Sequence, residues 1–129
     1  MPKKEVIQTD KAAAPGGPYS QAIQYGDTVY VAGEKGIDPA TGTIAEGGIV
    51  AETRQTLDNV QAILGEAGLS MDDAVRSVVY MTDLNEFGTM NEVYAEYFKV
   101  QPPPRTTVGV TSLPAGAHVE IEVTAVRQS

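Results

Sequence analysis

No cysteine occurs among the 129 residues, which removes disulfides, thiolate nucleophiles and zinc–thiolate sites in one step. A single histidine excludes a multi-histidine metal centre. Basic residues are scarce and scattered: nine lysines and arginines stand against seventeen acidic residues, for a formal charge of −8. Such a surface attracts a phosphate backbone poorly, so nucleic acid is not an expected partner. Nowhere does the chain hold the run of about eighteen apolar residues that a membrane span needs. The opening MPKKEVIQTD carries lysines with no apolar run behind them, so no membrane partner is expected and the cytoplasm is the expected location.

What remains is the composition of a globular protein, 42% hydrophobic and 20% charged, with length enough for one core and therefore one domain over residues 1–129. EVIQT at 5–9 alternates and predicts a first strand, and KAAAPGGPYSQ predicts a loop. AIQYGDTVYVAGE predicts a hairpin turning at Gly26-Asp27, and IDPATGTI at 37–44 a second turn built on Asp38, Pro39 and Gly42. From Ile49 to Ala67 the period changes. Ile49, Val50, Leu57, Val60, Ile63, Leu64 and Ala67 form the stripe of an amphipathic helix, with Gly68 as its C-terminal cap.

Ser70 and Asp73 are spaced to cap a short turn before the strand AVRSVVYMTD, apolar on both faces. A second helix is expected from about Glu86 to Lys99, with Phe87, Met90, Tyr94, Tyr97 and Phe98 inward and Pro102–Pro104 stopping it. RTTVGVT and HVEIEVTAV read as two closing strands, the last alternating Val119, Ile121, Val123 and Ala125 with Glu120, Glu122 and Thr124. The expected order is β-β-β-α-β-α-β-β, an α+β fold with two helices on one face of the sheet. The other face is then left apolar and bare, which predicts cover by another copy of the chain.

The last two strands are joined by SLPAGA and most simply pair as an antiparallel hairpin. A register with Thr107 opposite His118 sets Arg105 opposite Glu120. Opposite charges so placed form an ordinary cross-strand pair; alternatively, Arg105 grips a planar carboxylate through two hydrogen bonds. The residues alone leave both readings open. Tyr19, in a glycine- and proline-rich loop, reads equally as a packing residue or a pocket residue. His118 reads as an exposed or pairing residue, Asp72-Asp73 as helix-start chemistry. GEKG at 33–36 lacks the context of a phosphate loop and reads as a turn.

Taken in order, GGPYSQAI, VYVAGE with IDPATG, ETRQTLDNVQAILGEAG, VVYMTDLNEF, MNEVYAEYF, PPRTTV and VEIEVTAV closely resemble the RidA/YjgF family of small imine deaminases, from about Gly17 to Arg127. The resemblance implies a chorismate-mutase-like α+β fold, a homotrimer with pockets between subunits, and hydrolysis of reactive enamine and imine acids such as 2-iminobutanoate and 2-iminopropanoate to 2-keto acids and ammonia. No cofactor or metal is implied. Carried onto matching positions, it implies that Arg105 binds the substrate carboxylate, Gly33 offers it a backbone amide, and Asn91 and Thr107 line the pocket. Glu120 would orient or deprotonate water, with Tyr19 beside it.

Such chemistry asks little of a protein. A 2-imino acid is electrophilic at C2, so the site must hold its carboxylate, set a water about 3–3.5 Å from that carbon and move protons. This chain departs from the family pattern at Thr107, where a cysteine is common, at Ala32, where a serine is common, and at Glu34-Lys35-Gly36, where glutamine-isoleucine-proline is usual. A carboxylate and an amine at the cleft bear on substrate choice. Two competing functions stand beside the deaminase: a trimeric 2-keto-acid-binding regulator with little catalysis, and a ribonuclease or translation inhibitor, which the acidity opposes.

Overall fold

The computed structural model describes residues 2–129. In chain order its elements are β1 (Lys4–Ile7), β2 (Ala22–Tyr25), β3 (Thr28–Lys35), β4 (Ile37–Asp38), β5 (Thr43–Ile44), α1 (Gly48–Glu66), β6 (Ala74–Met81), α2 (Phe87–Ala95), β7 (Arg105–Gly109) and β8 (Val119–Val126). Six strands form one mixed sheet in the order β1-β2-β3-β8-β6-β7, and β4 and β5 pair separately. Among the described residues no helix is long and apolar enough to cross a membrane.

The expected turns form. Tyr25 faces Thr28 across Gly26-Asp27, with Gly26 at φ 61°, the left-handed region that glycine enters without a Cβ penalty. Asp38 Oδ1 accepts from the Ala40 amide at 2.9 Å, closing the turn between β4 and β5. Ser70 and Asp73 make a complete capping box ahead of β6.

The alternation of β8 decides the core. Val119, Ile121, Val123 and Ala125 are each at most 1% exposed and meet Leu57, Val60, Ile63 and Leu64 of α1, side chains whose burial stabilises by about 1.5–3 kcal/mol each for those of valine size and larger. Both helices lie on this face. Asn59 of α1 donates to the Lys35 and Ile37 carbonyls at 3.1 and 2.9 Å, tying the helix to the end of β3. At the same place a Cβ on Gly36 would lie 2.8 Å from Glu52 Cγ and 3.1 Å from its Cα. Gly36→Ala is therefore expected to push α1 off the sheet and cost about 1–3 kcal/mol, read as a lower urea midpoint; an unchanged midpoint would show that the helix yields freely.

The opposite face is open. Register places Val6, Ile23, Tyr25, Tyr30, Tyr80 and Val108 there, and Tyr25 and Tyr30 are each 54% exposed. Glu120 and Glu122 share it, Tyr80 donating to Glu122 Oε1 at 2.6 Å.

Several expectations are corrected. β7 and β8 do not form a hairpin: β7 runs parallel to β6, with Ser77 opposite Arg105, and β8 inserts between β3 and β6. The reason is burial. β8 presents a wholly apolar face and takes the centre of the sheet, while α2, acting as a crossover, returns the chain parallel to β6 at the edge. Arg105 consequently faces the helices with Ser77, and Glu120 faces away from them. The pairing of Arg105 opposite Glu120 does not exist.

The second helix is also shorter than expected. It ends at Ala95, well before the prolines, because Glu96 and Tyr97 close tight turns onto Val93 and Tyr94 that fold Phe98 back against Tyr94, their rings 4.4 Å apart. Phe87 is 38% exposed and Val50 42%, so neither belongs to the core stripe. The first strand stops at Ile7. Gly33, Glu34 and Lys35 of GEKG end β3 rather than forming a turn, with Gly36 just beyond the strand and a bulge between Val31 and Glu34.

Candidate functional site

The bulge re-aims the end of β3 and brings Gly33 against β8. A Cβ there would lie 2.9 Å from Glu120 Cδ and 3.2 Å from Cγ, so the Glu120 side chain lies across the glycine in space that only glycine leaves free. Tyr19, Ala32, Gly33, Lys35, Pro114 and Glu120 line a cavity of about 300 Å³. The loop carrying Tyr19 is anchored from below. Buried Gln21 accepts from the Thr9 amide at 2.8 Å and donates to the Ala13 carbonyl at 2.8 Å, and Tyr19 Oη accepts from the Gly16 amide at 3.1 Å. Three of the sequence-derived candidates, Tyr19, Gly33 and Glu120, thus meet in one cavity.

Arg105 stands elsewhere. Its guanidinium carbon lies 4.6 Å from the centre of the Tyr94 ring and 5.5 Å from that of Phe87, a cation held over two aromatic faces. Phe87, Asn91 and Tyr94 fall at i, i+4 and i+7 and share one stripe of α2, which puts Asn91 on the side of Arg105; its Oδ1 is buried without a partner. Tyr94 is pinned by Ser77, hydroxyl to hydroxyl, at 2.8 Å. Burial pushes the Tyr94 phenol above its ordinary value, with Ser77 and Arg105 opposing. Among the described residues no carboxylate forms a salt bridge with Arg105. Thr107 follows on β7, half-buried, opposite Val79.

One chain does not unite the two groups. Arg105 pairs with Ser77 and Glu120 with Tyr80, so the two lie two strands and three residues apart, roughly 14 Å at ordinary sheet spacings, and on opposite faces.

Sequence reading did not single out the rings of Phe87 and Tyr94 as a platform, nor Pro114. The strand–helix–strand order from β6 to β7 was the available signal, since such a unit makes its strands parallel neighbours. His118 does pair: Glu52, 2% exposed, accepts from its amide at 2.7 Å and meets its Nδ1 at 3.0 Å, which anchors the start of β8 to α1.

Residues 9–127 match the family described as Endoribonuclease L-PSP. The chain belongs to this family, the RidA/YjgF proteins. It is 49% identical over 125 residues to a RutC family protein of Pyrococcus abyssi, covering 97% of this chain and 98% of that one. It is 44% identical over 124 residues to the 2-iminobutanoate/2-iminopropanoate deaminase of Mus musculus, covering 96% and 92%. Among solved structures, that of Escherichia coli TdcF with bound serine superposes with a TM-score of 0.92 at 38% identity, covering 96% and 99%. The fold expected from the resemblance is the fold observed.

Within this RidA/YjgF chain one further group is unusual. Glu34 is 6% exposed, and its carboxyl is pushed up to about 7, chiefly by burial, with Lys35 opposing and Glu120 adding to the rise. A carboxyl whose value is raised in the folded protein holds its proton longer there than in the unfolded chain. The stability this confers is complete below about 4.5 and is lost as pH rises through about 7. Glu34→Gln should abolish that loss. We expect the variant to gain about 2–3 kcal/mol over the wild type between pH 5 and pH 8, measured by urea unfolding at both; parallel pH profiles for the two proteins would contradict it.

Proposed function

We propose that the protein is a deaminase that hydrolyses 2-imino acids, among them 2-iminobutanoate and 2-iminopropanoate, to 2-keto acids and ammonia in clefts between the copies of a homotrimer. The observation that carries this reading is Arg105: a half-buried guanidinium, held over two rings and without a carboxylate partner among the described residues, is ready for an anion from outside. The name of the mouse relative supplies the anion's class.

The chemistry follows from the two groups of residues. Arg105 takes the substrate carboxylate through two parallel N–H···O bonds, helped by Asn91 and the Gly33 amide. Glu120 orients a water beside Tyr19 and accepts its proton as the oxygen attacks C2. Glu120 returns that proton to the imine nitrogen to give the carbinolamine; the hydroxyl proton then passes to the amine, ammonia leaves with the C–N electrons, and the C2 carbonyl forms. Because Arg105 and Glu120 lie apart on opposite faces of their own sheet, a site that uses both is completed by a second copy, whose approach also covers the open tyrosine- and valine-bearing face.

A metabolite-binding role is favoured by one observation, the serine bound in the TdcF structure. The deciding experiment generates 2-iminobutanoate in place with a pyridoxal-phosphate dehydratase and follows 2-ketobutanoate. Catalytic amounts of this protein should accelerate its appearance; stoichiometric binding of 2-ketobutanoate without acceleration would establish the binding role instead.

A further inference from the structure

A second cavity, of about 360 Å³, opens behind the one that holds Glu120 and shares Tyr19, Lys35 and Pro114 with it. Its wall is otherwise largely apolar, including Ile37 and Ala115. Ala115 sits there at φ 62°, a left-handed conformation that costs a non-glycine residue free energy and clusters at functional sites. Its polar members besides Tyr19 are Lys35, Gln21, whose amide group is taken up by Thr9, Ala12 and Ala13, and Glu34, more than nine-tenths buried. Burial and two neighbouring charges shift its carboxyl, with no hydrogen bond among the causes, and no salt bridge reaches it among the described residues. Lys35 leaves the strand on the side of Glu120, yet it lines the same cavity and its charge opposes the rise of the Glu34 carboxyl.

A buried carboxyl without a partner is a standing cost unless a ligand offsets it. The ligand group that does so best is a cation, and a planar guanidinium does so with two hydrogen bonds. The cavity also offers far more room than the ethyl group of 2-iminobutanoate occupies. We infer that this cavity receives the side chain of the substrate and that Glu34 selects imino acids whose side chain ends in a cationic group. The inference rests on the deaminase reading of the adjoining site.

Its pH dependence has a definite sign. Glu34 ionises near neutrality, and the charges that act on it are Lys35 on its own strand and Glu120 on β8; Tyr19 lines the same cavity. Attraction for a cationic side chain therefore grows from pH 6 to pH 8, by about tenfold as the ionised fraction does.

The experiment uses an L-amino-acid oxidase to generate the imines of L-arginine and L-leucine in separate reactions, and compares kcat/KM for the two. In the wild type the arginine-to-leucine ratio should rise about tenfold between pH 6 and pH 8. In Glu34→Gln, which keeps the shape and removes the charge, the ratio at pH 8 should fall at least tenfold, mainly through KM, and lose its pH dependence. A ratio that Glu34→Gln leaves unchanged overturns the inference while the deaminase stands. Hydrolysis of 2-iminobutanoate but of neither of these imines overturns the inference; if the wild type hydrolyses none of the three, the deaminase reading fails, and free L-arginine titrated calorimetrically at pH 8 judges the cavity by itself. Binding at least tenfold weaker in Glu34→Gln upholds the cation site, and equal or absent binding in both proteins overturns it.

Discussion

Replacing Arg105 with alanine is expected to lower kcat/KM for 2-iminobutanoate by about 10²- to 10³-fold while leaving the fold and the assembly intact. Truncating one partner of a desolvated charge pair costs about 2–5 kcal/mol, and each 1.36 kcal/mol is about a factor of ten in rate. The structural cost is smaller. Arg105 stacks on Tyr94 and Phe87 at a sheet edge, contacts worth about 0.5–1 kcal/mol where partly exposed, and it holds no ion pair among the described residues. Arg105→Lys should recover only part of the loss, because an ammonium keeps the charge but not the planar fork. Kinetics on a variant of unchanged size and unfolding midpoint decide the matter. Full activity in Arg105→Ala would remove Arg105 from the site, and an unfolded or dissociated variant would make its role structural.

Gly33→Ala should be at least as damaging to the reaction, for a different reason. The added methyl would intrude on Glu120, 2.9 Å from Cδ and 3.2 Å from Cγ, and the end of a flexible side chain is what gives way. The fold should survive, since the contact is relieved by rotating Glu120 rather than by moving backbone. Catalysis should not survive so well: a displaced general base costs about 10²- to 10⁴-fold. If Gly33 acts through Glu120, then Gly33→Ala combined with Glu120→Gln should be no worse than the more severe of the two alone, whereas losses that multiply would mean the two residues serve independent steps.

How much of this was legible beforehand depends on the range of the interaction concerned. The stripe of α1, the capping box at Ser70 and Asp73, the Gly26-Asp27 hairpin and the alternation of β8 are local patterns set by residues a few positions apart, and they formed as expected save for Val50, which lies outside the stripe. The end of α2 was not legible, because the tight turns after Ala95 are driven by the packing of Phe98 on Tyr94, a tertiary contact that overrides three conspicuous prolines. The neighbour of β7 was misread for the same kind of reason. Proximity in sequence favoured β8, but the choice of strand neighbours is made by the whole sheet.

The candidate site divides along the same line. Arg105, Glu120 and Tyr19 were weighed from the residues and, with Gly33, Asn91 and Thr107, assigned to a site by resemblance to a family; the match over residues 9–127 places the chain in that family. Their arrangement was not available from any motif. That Gly33 leaves room for Glu120 follows from a bulge in β3; that Arg105 lies on the helix face follows from the parallel pairing of Ser77 with Arg105.

By itself, then, the sequence determined that this is an acidic α+β chain without thiol chemistry, built on two amphipathic elements whose periods of 3.6 and 2 assign each apolar residue to a face. Only the tertiary structure decided that β8 is central and β7 peripheral, that Arg105 and Glu120 point away from each other, and that Glu34 is buried. Periodicity is a property of neighbours along the chain and says which residues face inward. Pairing, burial and the raised carboxyl of Glu34 are produced by residues distant in sequence that share the same space, and only the folded chain brings them there.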